Sequence, residues 1–155
     1  MLKALKNITF WMAIGIPAVI VGFLLFTYIG LPNVIDLQTK NPKTTALMLQ
    51  RFKESQQSQK KIVLQQQWVE FAKIPKLLKD TIRITEDAAF YQHKGVDFAE
   101  LKDAIEKSWK KRKVVRGAST ITQQLAKNLY LSTDRSIIRK IKEFLIARSL
   151  EANLS

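Results

Sequence analysis

Two groups of acidic side chains stand beside basic or hydrogen-bonding residues within otherwise apolar stretches. The first is the adjacent pair Glu86 and Asp87. The second is Glu143, which follows Arg139 by four positions and Lys140 by three. A carboxylate in such surroundings can act as a general acid or base. The same spacing on a helix also gives an ordinary intrahelical ion pair, which is the default interpretation for Glu143. Spacing alone therefore leaves the chemistry undecided.

A set of polar residues between these two groups falls on one face of a predicted helix. Residues spaced at about 100° around a helix axis separate into an apolar side and a polar side. The apolar side carries Ile121, Leu125, Ala126 and Leu129, and the polar side carries Thr120, Gln123, Gln124, Lys127 and Asn128. A solvated face more often carries Glu and Lys, whereas this one carries mainly short hydrogen-bonding groups. It is therefore predicted to face a ligand.

Sequence patterns predict the helices that must position these side chains. Helix starts are predicted near Pro75, Asp97, Thr120 and Ser136, because proline suits a first helical turn and Asp, Thr and Ser suit caps. The first of these helices is predicted to continue through Ala89 until His-Lys-Gly closes it. The second is predicted to bury a stripe made of Leu101, Ala104, Ile105, Ser108 and Trp109. The sequence thus indicates a mainly α fold.

Composition points to an anionic partner. The 155 residues contain 26 Lys and Arg against 13 Asp and Glu, a formal charge of +13. Nucleic acid, a lipid headgroup and a phosphorylated substrate all remain open at this point. A basic connector of Lys110, Lys111, Arg112, Lys113 and Arg116 is equally compatible with a solvated turn and with phosphate contact. The absence of cysteine excludes disulfides and thiolate metal sites.

The amino-terminal run from Ile8 to Leu31 contains no charged residue. At about 1.5 Å per residue it reaches roughly 36 Å, enough to cross a hydrocarbon core of about 30 Å with some tilt. A cleaved signal peptide would have a shorter apolar region and a small-residue cleavage site. Lys3 and Lys6 precede the run, which predicts a cytoplasmic amino terminus. We expect residues 1–32 to form a single-pass anchor in a cytoplasmic membrane.

Three consecutive blocks carry a family resemblance: EDAAFYQHKGVD at 86–97, GASTITQQLAKNL at 117–129 and RKIKEFLIARSLE at 139–151. In this order they resemble the first three signature motifs of the peptidoglycan glycosyltransferases, glycosyltransferase family 51. The resemblance covers roughly residues 67–155, and the single anchor resembles the monofunctional members. It implies a lysozyme-like helical lobe in 67–155. The polar, glutamine-rich composition of 33–66 separately predicts a linker or membrane-proximal flap. The later Tyr-Leu-Asn block has no counterpart, so this lobe is expected to be incomplete.

The resemblance also implies a reaction and roles for residues. Members of this family transfer a growing glycan from its polyprenyl pyrophosphate to the 4-hydroxyl of lipid II, a lipid-linked disaccharide-peptide, with inversion. Glu86 matches the general base, Asp87 its support, and Glu143 a second essential carboxylate near the donor phosphates. The candidates for holding the leaving diphosphate are Lys127, Arg135, Arg139 and Lys140. The hydrogen-bonding face for donor sugar and phosphate matches Ser119, Thr120, Gln123, Gln124 and Asn128.

The same resemblance sets expectations for partners and cofactors. Lipid II, the growing glycan, membrane lipids and other cell-wall synthesis or division proteins are the expected partners, without nucleic acid. The location is the bacterial inner membrane, with the catalytic part outside the cytoplasm. No cofactor is required; Mg²⁺ or Mn²⁺ is associated with the family, but the sequence encodes no ligand cluster, and His93 is expected to make a structural hydrogen bond. A glycan-cleaving relative of lysozyme and a non-catalytic membrane-bound module stay as alternatives.

Overall fold

The computed structural model describes residues 2–58, 63–113 and 117–154, and the side chains from residue 13 onwards. Every regular element in these ranges is helical, which confirms the mainly α class. The α-helices are α1 Leu2–Ile29, α2 Ala46–Gln57, α3 Lys76–Glu86, α4 Phe98–Lys111, α5 Ile121–Tyr130 and α6 Ile137–Leu154. Short 3₁₀ helices lie at Ile35–Gln38 and Phe71–Lys73. Arg116 of the basic connector lies outside the described residues.

The chain separates into two compact units, Met1–Pro32 and Asn33–Ser155. The first unit is built on α1, which contains Pro17 and in which the Thr27 hydroxyl donates back to the Phe23 carbonyl at 2.8 Å. Among the residues that the structure describes, no helix combines the length and the apolar character needed to span a bilayer.

The core of the second unit lies between α5 and α6. Helix α2 packs on α5, and the 3₁₀ helix Ile35–Gln38 packs on α6. The buried apolar side chains include Val34, Ala126, Ile146, Ala147 and Leu150. Because α5 and α6 carry two of the three signature blocks, this core holds the candidate site residues in fixed relative positions.

The predicted helix starts are confirmed by the caps that the structure shows. Asp97 accepts a hydrogen bond from the Glu100 amide at 2.8 Å, and the Ser136 hydroxyl accepts one from the Arg139 amide at 3.1 Å. Thr120 forms a complete capping box with Gln123. These bonds satisfy amides that a helix's first turn leaves without intrahelical partners.

Helix α3 ends earlier than predicted. It stops at Glu86, and the chain leaves helical geometry at Asp87, where φ is −161°. Ala88 and Ala89 are therefore in a turn, although alanine favours helices. The reason is tertiary, because the Asp87 carboxylate is bonded to groups distant along the chain that a continued helix would not reach.

The predicted burial of the α4 stripe is wrong for its larger members. Ala104 is buried, but Ile105 is 59% exposed and Trp109 is 85% exposed. The stripe lines an open groove of about 690 Å³ together with Arg112 and Lys113. An amphipathic pattern predicts which side of a helix is apolar, but it does not predict which neighbour covers that side.

The segment 33–66, expected as a linker or flap, contains ordered structure that bonds to the helical core. Thr45 caps α2 by accepting from the Met48 amide at 3.1 Å. The Gln38 side chain donates to the Asn153 carbonyl of α6 at 2.6 Å. The described part of this segment is thus attached to the same compact unit as the signature blocks.

Candidate active site

Glu86 is the last residue of α3, and its side chain is exposed. Its Oε2 accepts a hydrogen bond from Gln124 Nε2 on α5 at 2.9 Å. The carboxylate lines a cavity of about 110 Å³ whose wall also includes Ser119 and Thr120. The structure therefore brings the first and second signature blocks together around an accessible carboxylate.

Asp87 does not share the exposure of Glu86. Only 3% of its side chain is exposed, and both carboxylate oxygens are engaged. Oδ1 lies 2.8 Å from His93 Nε2, and Oδ2 accepts from the Ile121 amide at 3.0 Å. The predicted structural hydrogen bond of His93 is thereby confirmed. This carboxylate ties the end of α3 to the start of α5. The expected role of Asp87 in supporting Glu86 and in substrate binding stays a prediction.

Thr120 and Gln123 are also buried and engaged within the protein. The Thr120 hydroxyl donates to the Gly95 carbonyl at 2.7 Å and accepts from the Gln123 amide at 3.1 Å. The Gln123 side-chain oxygen accepts from the Thr120 amide at 3.1 Å. Their expected contribution to a ligand face stays a prediction. The helical wheel placed them on the polar side, but that side is partly turned towards the Gly95 turn.

The remainder of the polar face of α5 is accessible. Gln124, Lys127 and Asn128 are each partly exposed. Among the described residues, no side chain or carbonyl lies within hydrogen-bond or ion-pair distance of the side-chain polar atoms of Lys127 and Asn128. The same is true of the exposed Arg135, in the loop between α5 and α6. These three side chains can bind an external anion without first losing a described protein partner.

Glu143 is buried at the centre of a cation clamp on α6. Its side chain is 3% exposed; Arg139 Nη1 contacts Oε2 at 2.5 Å and Lys140 Nζ contacts Oε1 at 2.5 Å. The spacing suggested an intrahelical ion pair, and the structure shows two: Arg139–Glu143 and Lys140–Glu143. Both cations are directed at Glu143, so the clamp carries one net positive charge around a fixed carboxylate.

Lys140 connects this clamp to the Glu86 cavity. Its ammonium also donates to the Ser119 hydroxyl at 2.8 Å, and Ser119 lines the cavity that contains Glu86. Lys140 is 43% exposed, whereas Arg139 is 17% exposed. Lys140 is therefore the more accessible cation of the clamp, and it reaches the cavity wall through Ser119.

The described residues form no cluster of three or more protein ligands for a metal ion. No three His, Asp or Glu side chains in that part of the chain converge in a way that could hold a metal ion. Glu86 accepts a hydrogen bond from the Gln124 side-chain amide. Asp87 is hydrogen-bonded to the Ile121 backbone amide and to His93. Glu143 forms ion pairs with Arg139 and Lys140. The chemistry of the described residues is accordingly that of carboxylates, amides and fixed cations.

The sequence matches the family described as transglycosylase over residues 52–155. The chain belongs to this family. Curated relatives named biosynthetic peptidoglycan transglycosylase are similar along most of the chain. The protein from Janthinobacterium sp. (strain Marseille) is 39% identical over 151 residues, covering 97% of this chain and 64% of the relative. The protein from Nitrosomonas eutropha is 40% identical over 132 residues, covering 85% of this chain and 54% of the relative. The chain thus spans less than two thirds of the length of these transglycosylases.

Two further residues connect the elements that carry the candidate site, and neither was among the candidate site residues predicted from the sequence. Gly95 has φ of +80°, and a Cβ there would meet Glu151 Cγ at 2.7 Å and the Ala147 carbonyl oxygen at 3.0 Å. The sequence indicated only that Gly95 closes a segment, since its packing on α6 is a tertiary property. Gln50 of α2 bonds to Thr133, and no local pattern marks a glutamine in a glutamine-rich stretch.

Proposed function

We propose that this chain contributes the amino-terminal part of an enzyme that polymerises the glycan of peptidoglycan. The donor is the growing glycan on a polyprenyl pyrophosphate, and the acceptor is the 4-hydroxyl of lipid II. The acceptor oxygen bonds to the anomeric carbon as the bond from that carbon to the phosphate oxygen breaks, with inversion. The diphosphate leaves, and the acceptor proton passes to a carboxylate.

The observation that carries this proposal is the link from Glu86 through Ser119 and Lys140 to Glu143. The cavity beside the exposed Glu86 carboxylate is also lined by Ser119, which accepts from Lys140, and Lys140 is one of the two cations that hold the buried Glu143. This arrangement lies within a chain that belongs to the transglycosylase family. Proton removal from an alcohol requires an accessible base. A departing diphosphate requires fixed cations. Glu86 supplies the base in the cavity wall, and Lys140 supplies a cation that bonds to Ser119 of the same wall.

The residues divide into groups with distinct roles. Glu86 accepts the proton, and Gln124 orients it. Lys140, with Lys127 and Arg135 in reach of solvent, stabilises the diphosphate, while Arg139 is held more deeply by Glu143. Ser119 and Asn128 donate to sugar or phosphate oxygens. Glu143 keeps two neighbouring cations at a fixed separation, which lowers the cost of ordering them around substrate.

We further propose that residues 8–31 anchor the enzyme in the inner membrane and that the lobe of residues 67–155 is a lysozyme-like part outside the cytoplasm. The support is the uncharged apolar run, preceded by Lys3 and Lys6. Anchoring keeps the site beside a substrate that is itself held in the bilayer by its polyprenyl chain. Extraction of membranes with alkaline carbonate should leave the protein in the pellet; release into the supernatant would contradict the anchor.

Polymer formation from purified lipid II tests the reaction. The intact parent protein should extend glycan, and Glu86→Gln should lower kcat by about 10²-fold or more, since it removes the proton acceptor. Glu106→Gln, at an exposed position of α4 outside the Glu86 cavity, is the matched control and should retain parent turnover. Equal turnover of Glu86→Gln and parent would exclude Glu86 as the base. Fragment release from finished glycan would instead indicate a cleaving enzyme.

A further inference from the structure

Helix α2 is attached to the loop between α5 and α6 through one side chain. The amide of Gln50 bonds twice to Thr133, 83 residues later: its nitrogen donates to the Thr133 hydroxyl, and its oxygen accepts from the Thr133 backbone amide at 3.1 Å. The same nitrogen donates to Glu54 Oε1 at 2.8 Å. Glutamine meets this pattern because its amide carries a donor and an acceptor at one end.

The loop that Gln50 contacts is also hydrogen-bonded to the Arg139 guanidinium of the cation clamp. The carbonyl of Asp134, the residue after Thr133, accepts from Arg139 Nε at 2.5 Å, and the Ser132 hydroxyl donates to the Asp134 carboxylate at 2.8 Å. Arg139 Nη1 in turn donates to Glu143 at 2.5 Å. Because a guanidinium is planar and rigid, a carbonyl that fixes its Nε edge also fixes the direction of its Nη1 donor.

We propose that Gln50 is a positioning residue that sets the orientation of Arg139, and through it the place of the Glu143 carboxylate, from the membrane-proximal segment of the chain. This inference rests on the proposed function for its effect on turnover. Gln50 touches no part of the Glu86 cavity and acts only through Thr133, Asp134 and Arg139. The segment before the first signature block thereby contributes to the site instead of only connecting it to the anchor.

The location of the contact predicts a kinetic effect larger than its effect on stability. The Gln50–Thr133 bonds lie at the surface, where water replaces a lost hydrogen bond at small net cost. Glu143 at the other end of the path is buried, so a small rotation of Arg139 changes the field around this carboxylate without unfolding α6. Misplacement by about 1 Å can lower turnover by up to about 10²-fold.

The first test compares Gln50→Ala with parent in the intact protein, with lipid II as the probe. We expect kcat to fall by about tenfold with KM and melting temperature near their parent values. Thr133→Ser preserves both bonds and should keep parent kcat. Gln56→Ala, on the same helix with an exposed side chain, is the matched control and should also keep it. A Gln50→Ala protein with parent kcat would overturn the proposal, as would an equal loss in Gln56→Ala.

A double variant tests the path. Arg139→Lys removes the Nε donor to Asp134, so the connection from Gln50 to Glu143 is already cut. Adding Gln50→Ala to Arg139→Lys should then lower kcat no further. If the two losses multiply, Gln50 acts independently of Arg139 and the proposed path is wrong.

A measurement without turnover separates this inference from the proposed function. If the parent makes no polymer, the proposed function fails, but the Arg139 Nε–H resonance and its exchange with solvent still report the path. In Gln50→Ala this N–H should exchange several-fold faster than in the parent and in Gln56→Ala. Unchanged exchange of the Arg139 Nε–H would overturn the positioning role whether or not the protein polymerises glycan.

Discussion

The carboxylates of Glu86, Asp87 and Glu143 differ in surroundings and therefore in what they can do. Glu86 is exposed and accepts one hydrogen bond, from the Gln124 amide, so its other oxygen is available to accept a proton. Asp87 is buried with both oxygens engaged by protein donors. Glu143 is buried between two cations. Adjacent positions in the sequence, such as 86 and 87, thus differ in exposure and in the number of protein groups that they bond to.

Asp87→Asn should destabilise the second unit. The variant keeps the size of the side chain, but it replaces one acceptor oxygen with a donor that faces either His93 or the Ile121 amide. We expect a loss of about 1–3 kcal/mol in the free energy of unfolding, because a buried donor remains unsatisfied. Urea denaturation measures this loss. Asp103→Asn, at a half-exposed pair with Lys107, is the control and should remain close to parent.

Glu143→Gln should affect both stability and turnover. The amide leaves Arg139 and Lys140 as neighbouring cations without the carboxylate that compensates them, and we expect unfolding to become easier by about 2 kcal/mol. Polymer formation should fall strongly because the cations lose their fixed separation. Urea denaturation measures the change in the free energy of unfolding, and polymer formation from lipid II by the same preparation measures the change in turnover. A variant with parent stability and parent turnover would show that the clamp is dispensable.

At the scale of elements, the start of α5 is the point where the blocks meet. Asp87 bonds to its first amide, Thr120 caps it, and the Gly95 carbonyl accepts from the Thr120 hydroxyl. The turn after Glu86 is therefore attached to α5 at two places. This arrangement explains why Glu86 and Gln124 face each other although α3 and α5 are separated by α4 in the chain.

Gly95→Ala should disrupt this turn. The backbone has φ of +80°, where a Cβ is strained, and the added carbon would lie 2.7 Å from Glu151 Cγ. We expect a loss of about 2 kcal/mol or more in the free energy of unfolding, measured by thermal or urea denaturation. Gly117→Ala is the matched control, because a Cβ there meets nothing within 4 Å. Equal stability of the two variants would contradict the packing of Gly95 on α6.

At the scale of the whole molecule, a net charge of +13 predicts that binding of an anionic lipid substrate depends on salt. Exposed cations such as Lys127 and Arg135 are screened as the Debye length falls from about 10 Å at 0.1 M to about 3 Å at 1 M salt. We expect KM for lipid II to rise several-fold over this range while kcat changes less, because the buried Arg139–Glu143 pair is screened less. A KM that is independent of salt would contradict an electrostatic contribution to binding.

Local signals in the sequence predicted much of this molecule. Caps at Asp97, Thr120 and Ser136 gave the helix starts, because capping depends on neighbours within four residues. The early end of α3 at Asp87, the exposure of Trp109 and the burial of Gln123 could not be predicted in this way. Each depends on a contact, or on a missing cover, that only the packing of distant segments determines. The candidate site residues were predicted from block similarity, whereas their separation into exposed and buried groups required coordinates.

The bond between Gln124 and Glu86 makes the two carboxylate oxygens inequivalent before any sugar arrives. A carboxylate can only accept, so the amide must present its NH₂ group, and Oε2 is the oxygen it occupies. Under the proposed reaction, we expect Oε1, which carries no described protein donor, to receive the proton more readily than Oε2. Helix α5 thereby favours one side of the Glu86 carboxylate for the approach of an incoming alcohol, a preference that an isolated carboxylate would not have.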